Sequence, residues 1–101
     1  MHTYLAEAYM PRGTGSGLEA VAGRLAAACA AVSRPRRAVR YLRALHLPGD
    51  ELCLYLFEAS SPDLVTAAVT GAGLRYIRIV EAVPADAPPA TAGSSPGRPP
   101  S

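Results

Sequence analysis

The apolar segments of this chain fall in the order strand, helix, strand, strand, helix, strand. That order predicts an α+β domain on the ferredoxin-like βαββαβ plan, a four-stranded antiparallel sheet with two helices on one face. Three observations carry the prediction. Period-two alternation marks the stretches around residues 3–9 and 52–59; helical spacing marks 18–32 and 62–70; a Pro48-Gly49 turn joins two strands directly.

The first strand runs from about Thr3 to Tyr9, with Tyr4, Ala6 and Ala8 on one side and Leu5, Glu7 and Tyr9 on the other. Pro11, Gly13 and Gly15 break it. Ser16, with Glu19 three positions on, forms a capping box that starts the first helix. Leu18, Val21, Leu25, Cys29 and Val32 make its apolar stripe, and Pro35 stops it. The second strand spans about Ala38 to Leu47. Pro48 and Gly49 suit the central positions of a type II turn, and Leu52 to Ala59 is the third strand. Ser61 caps the second helix, Pro62 takes its first position, and Asp63 complements its dipole. Leu64, Val65, Ala68 and Val69 form its stripe, and Gly71 and Gly73 end it. Arg75 to Val83 is the last strand. The fold analogy implies the sheet order 4-1-3-2, with strands 1 and 3 central.

The segment Pro84 to Ser101 holds six prolines and no aromatic or large aliphatic residue. Such a composition cannot offset the entropy of ordering, so it reads as a disordered tail after a domain of residues 1–83. A domain this small favours an oligomer. The net charge is only +2, and all ten basic residues are arginine. With so much alanine, that suggests a GC-rich genome. Arg34, Arg36, Arg37, Arg40 and Arg43 crowd the start of the second strand. No aromatic stacking pattern accompanies them, so they read as a solvated surface and no nucleic-acid partner is expected. No secretory signal or membrane span is visible, and a cytoplasmic location is expected. Cys29 and Cys53 lack CxxC spacing and read as small buried hydrophobes.

Strand parity divides the sheet into two faces. Tyr4, Ala6, Leu42, Cys53, Tyr55, Phe57 and Val80 are expected under the helices. Leu5, Glu7, Tyr9, Tyr41, Arg43, Leu54, Leu56, Glu58, Ile77, Ile79 and Glu81 are expected on the open face. An open face this apolar marks an interface or ligand surface. Two sheets packed face to face would bury it and form a dimeric α+β barrel with a cavity between them. In that cavity Leu5, Leu54, Leu56, Ile77, Ile79 and Glu81 would line a substrate site. A carboxylate desolvated among apolar groups can exchange a proton near neutrality, which suits Glu58 or Glu7 as acid or base. Arg43, Tyr9 or Tyr41 would polarise an oxygen. The simpler alternative is that these charges pair across the sheet, for example Glu7 with Arg43. No nucleophile elbow is present, and Gly13, Gly15 and Gly17 lack phosphate-loop spacing. Nucleotide, nicotinamide and flavin sites are therefore not expected.

The stretches Tyr4-Leu5-Ala6-Glu7-Ala8-Tyr9-Met10-Pro11, Val39-Arg40-Tyr41-Leu42-Arg43 and Cys53-Leu54-Tyr55-Leu56-Phe57-Glu58-Ala59 are followed by Ala72-Gly73-Leu74 and Arg78-Ile79-Val80-Glu81-Ala82-Val83. Together they resemble a family of small bacterial proteins classed as a domain of unknown function, which has a nickel-binding actinobacterial member. The resemblance covers nearly all of residues 3–83. It implies a ferredoxin-like fold, dimerisation through the sheet, and a candidate metal site. The chain departs from that family in its second helix, where Leu64 to Thr70 offers no metal ligand. It departs again at Ile77, where the family tends to carry an acidic residue. Both departures make the expected cavity drier and better suited to an organic ligand. Small dimeric barrels of this kind often serve natural-product pathways, a resemblance of fold only. The preferred expectation is a cofactor-free cyclase or isomerase acting on a hydrophobic intermediate of polyketide type. The alternative is a non-catalytic nickel-binding protein whose ligands come from His46, His2, Cys53 and the glutamates.

Overall fold

The computed structural model describes residues 1–10 and 17–83. Its elements are β1 (His2–Tyr9), α1 (Leu18–Val32), β2 (Val39–Leu47), β3 (Leu52–Ala59), α2 (Pro62–Gly71) and β4 (Arg78–Ala82). The sheet order is β2-β3-β1-β4 and every neighbouring pair is antiparallel. This is the ferredoxin-like arrangement, with both helices on one face. The expected cap Ser16 and the proline-rich segment 84–101 lie outside the described residues.

Small side chains on β1 let the helices approach the sheet. Ala6 and Ala8 are buried beside Cys53, Tyr55 and Phe57 of β3. Against them pack Leu25 and Cys29 of α1 and Leu64, Val65, Ala68 and Val69 of α2. Each large aliphatic or aromatic group there contributes about 1.5–3 kcal/mol by leaving water.

The connections hold the layers together. The Ser33 hydroxyl lies 2.8 Å from the Cys29 carbonyl and accepts the Val39 N–H at 3.0 Å, so it joins the end of α1 to the start of β2. Arg34 and Arg37 exchange backbone hydrogen bonds of 3.0 and 2.9 Å around Pro35 and Arg36. Arg36 has φ +73° there, so the type II geometry falls at Pro35-Arg36. A non-glycine residue in that region costs on the order of 1 kcal/mol.

Pro48–Asp50 instead forms a single 3₁₀ turn, and Glu51 takes the left-handed conformation at φ 52°. Gly49 is therefore not the residue that reverses the chain, contrary to the type II expectation. The reason lies in the anchoring of Glu51. Its N–H donates to the Pro48 carbonyl at 3.2 Å, and its carbonyl accepts the Met10 N–H at 2.7 Å. At the second helix Ser61 holds the N-cap backbone position, but its buried hydroxyl caps no amide. The Ser61 carbonyl accepts the Leu64 N–H instead.

Both edge strands depart from the expected parity. In β2 a bulge between Tyr41 and Arg43 makes Leu42 an extra residue. Tyr41 therefore turns under the helices and meets Phe57 edge-on, with centroids 5.6 Å apart. Leu42 is left out of the core at 37% exposure. In β4 the register sets Ile79 opposite Ala6 and Val80 opposite Leu5. Ile79 thus packs against the core and Val80 joins the open face, the reverse of expectation. Glu81 lies opposite Tyr4, on the helix side of the edge, 3.4 Å from His2. Ile77 precedes the strand, with its N–H on the Glu7 carbonyl and its side chain exposed.

Gly73 ends α2 in a Schellman motif. It has φ +73°; its N–H bonds the Thr70 carbonyl, and the Leu74 N–H bonds the Val69 carbonyl, both at 3.0 Å. Leu74 then packs on the core. Nothing lies within 4 Å of a Cβ built at Gly73, so only the backbone penalises substitution. Gly73→Ala is expected to lower stability by about 1 kcal/mol, a fall of roughly 4–8 °C in Tm by circular dichroism. A melt within 1 °C of the parent would contradict the left-handed cap.

Candidate functional site

The register lays the open face out in rows across β2, β3, β1 and β4. One row reads Leu45, Leu54, Glu7, Arg78. The next reads Arg43, Leu56, Leu5, Val80, and the third Arg40, Glu58, Thr3, Ala82. Glu7 therefore has Leu54 beside it on β3, Leu5 next on the same face of β1, and Arg78 on β4. Among the described residues of one copy this face encloses no pocket.

Glu7 lies on the central strand β1, two residues before its end. Its side chain is 19% exposed, against 36% for Glu58. Arg78 Nε donates to Glu7 Oε2 at 3.0 Å, and Arg78 Nη2 lies 3.0 Å from the same oxygen as an ion pair. Glu7 Oε1 has no hydrogen bond among the described residues. A fixed carboxylate with one free oxygen, set among leucines, can accept a proton from a molecule lying on the face. Glu58 is bonded to Arg40 at the end of the sheet. That pair is open to water and resembles a surface ion pair.

Of the expected catalytic set, Glu7, Glu58, Arg43 and Tyr9 lie on the open face, with Tyr9 exposed at its rim; Tyr41 does not, because of the bulge. Of the expected lining residues, Leu5, Leu54 and Leu56 lie there. Ile79 and Glu81 are on the helix side, and Ile77 is outside the strand. Arg43 stands two strands away from Glu7, so the ion pair weighed between them is not formed. Arg78 takes that place. Placing Ile77 and Ile79 on the open face implies the opposite parity for Arg78, which hides it from sequence reasoning; a Glu–Arg pair on neighbouring strands is the available signal.

The proposed metal ligands do not converge. His46 lies across from Cys53 near the hairpin turn, whereas His2 pairs with Ala59 at the other end of the sheet. No three His, Cys, Asp or Glu side chains gather into a metal site among the described residues. His46 Nε2 is buried there without a hydrogen-bond partner. Burial pushes the Cys29 and Cys53 thiols up from 9.0, so both are neutral near pH 7 and neither is an activated nucleophile. Burial, then a hydrogen bond with Cys53, raises the Tyr55 phenol. No helix among the described residues is long and apolar enough to cross a membrane.

No family model matches the chain, and no curated protein sequence matches it. The fold is similar to the crystal structure of SCO4226 from Streptomyces coelicolor A3(2), with a TM-score of 0.63. The two chains are 23% identical, and the likeness covers 84% of this chain and 99% of that one. At that identity the likeness shows a shared fold.

The thiols give the domain a defined alkaline limit. The unfolded thiol titrates near 9.0 and the buried ones higher. Between those values the unfolded chain binds fewer protons, so stability falls as pH rises. The unfolding free energy from urea titrations is expected to hold to about pH 8 and then fall, by up to about 1.4 kcal/mol per pH unit for each thiol. The Cys29→Ala, Cys53→Ala double variant should lose most of that slope below about pH 10, whatever its absolute stability. An unchanged slope would mean that the thiols are not protected.

Proposed function

We propose that this chain is a small cofactor-free protein of the cyclase or isomerase type, which binds a hydrophobic organic molecule between the open sheet faces of two copies. Glu7 carries the reading: a largely shielded carboxylate, held by Arg78 on one side and facing Leu54 on the other, with one oxygen free of hydrogen bonds among the described residues. A single copy leaves Leu45 and the Leu54, Leu56 and Leu5 stripe facing water. Pairing two such faces would remove that surface and leave the charged pair inside a dry compartment. The family resemblance stated from the sequence implies the same mode of pairing. Two unpaired buried thiols fit a reducing compartment such as the cytoplasm.

In such a compartment Glu7 Oε1 would take a proton from a carbon next to a carbonyl and return it at a second position. Arg78, beside it, would stabilise the enolate oxygen formed in between. Shape supplies the rest, since a cyclising chain reacts when held in its reactive conformer. Glu58 stands further out on the same face and would contact only the end of a ligand, while Arg43, on the outer strand β2, stays at the open rim.

Light scattering at micromolar concentration is expected to give twice the chain mass, and Leu54→Arg is expected to give a folded monomer. A monomeric parent protein would remove the enclosed site. Exchange of α-protons of an aromatic polyketone into deuterated water provides a readout of the chemistry. Glu7→Gln is expected to slow that exchange by roughly 10²–10⁴ while the dimer persists. Equal exchange by the variant, or none by the parent protein across a panel of such ketones, would refute Glu7 as the base.

A further inference from the structure

Between Glu19 and Asp50 the chain contains no acidic residue, yet this interval holds six of its ten arginines. The interval makes most of α1, the Arg34–Arg37 turn and β2. Because β2 is an outer strand, segregation along the chain becomes a basic edge in space. Three of the six are engaged, Arg24 on α1 by donating from Nε to the Ala72 carbonyl at 3.1 Å. Arg34 Nη1 donates to the Ala31 and Ser33 carbonyls at 3.1 and 2.8 Å, and Arg40 pairs with Glu58. Arg36, Arg37 and Arg43 are exposed and have no carboxylate partner among the described residues.

Two further observations show that this edge is more than solvated charge. Arg36 stands at φ +73°, at the turn position that glycine or asparagine fills without strain. The chain accepts an unfavourable backbone there and presents a guanidinium at the tip. The outer backbone groups of Arg43 to Leu47, beyond the bulge, make no hydrogen bond outside the sheet among the described residues. Unpaired strand-edge groups are a template for another extended chain.

We infer that this edge binds an acidic, extended segment of a partner protein. The segment would lie as an added strand along Arg43 to Leu47, with its carboxylates on Arg43, Arg37 and Arg36. A second copy of β2 does not supply the counter-charge, since that strand carries no acidic residue. Single-stranded nucleic acid is disfavoured because such sites stack bases on exposed aromatic rings. The one aromatic residue of β2, Tyr41, is turned under the helices onto Phe57.

The full chain, labelled with ¹⁵N, can be titrated with a capped eight-residue peptide of alternating glutamate and valine. The expected result is saturable shifts centred on the amides of residues 43–47. Affinity should fall at least tenfold in the triple variant Arg36→Gly, Arg37→Gln, Arg43→Gln, and also between about 50 and 300 mM salt. Glycine suits the φ at position 36, so the variant should keep the parent's dispersed spectrum. The same peptide with lysine for glutamate should not bind. Three results would each overturn the inference: shifts centred on β1 and β4, affinity unchanged in the folded variant, or a single-stranded DNA of equal charge binding as tightly as the acidic peptide.

Discussion

The pairing of β1 with β3 is the constraint on which the rest of the molecule depends. It is the longest uninterrupted ladder, running from His2 opposite Ala59 to Tyr9 opposite Leu52 without a register shift. Every second residue from Tyr4 to Ala8 and from Cys53 to Ala59 is buried under the helices. Moving one strand by a single residue would bring Glu7 and Leu5 into the core and push Ala6 and Ala8 out of it. The helices could not then approach, because the small residues that admit them would face the other way. Core and open face are thus two readings of one ladder.

The open face places opposing demands on its charges. Taking a carboxylate partly out of water is unfavourable unless it is paired. Glu7 has Arg78, but Arg78 is itself 63% exposed, so the pair contributes no more than about 1 kcal/mol to the fold. That is small beside the burial of Tyr55 or Phe57. An apolar residue at position 7 would extend the leucine surface without an unpaired buried charge. The Glu7–Arg78 pair is therefore a minor term in the stability of the fold.

The central strands were legible in the sequence because each alternates strictly between a residue that must be buried and one that need not be. The outer strands were not. In β2 the alternation changes phase at Leu42, and nothing in Arg40-Tyr41-Leu42-Arg43 marks which residue is the extra one. In β4 the run Ile77-Arg78-Ile79-Val80 places apolar side chains at both parities, so only the hydrogen bonds to β1 decide. For that reason Glu7, Leu5, Leu54 and Leu56 could be placed on the open face from sequence, while Tyr41, Ile79 and Glu81 could not. Arg78, the nearest charged neighbour of Glu7, was hidden by the same ambiguity. The turns were legible by position but not by type: Pro48-Gly49 has the residues of a type II turn, yet Pro35-Arg36 has its geometry.

The sheet order also dictates how the chain must assemble. β2 and β3 are joined by a short turn, so they can meet while the rest of the chain is still open. β1 must then find β3 across the whole of α1, and β4 must find β1 across almost the entire domain, Thr3 beside Ala82. Closing so long a loop is entropically costly and is recovered only once the five-residue β4 has docked. The strand that delivers Arg78 to Glu7 is therefore the one whose docking closes the longest loop. The charged centre of the open face exists only in the fully folded molecule, and a locally opened chain that had released β4 would keep most of its core while losing that site.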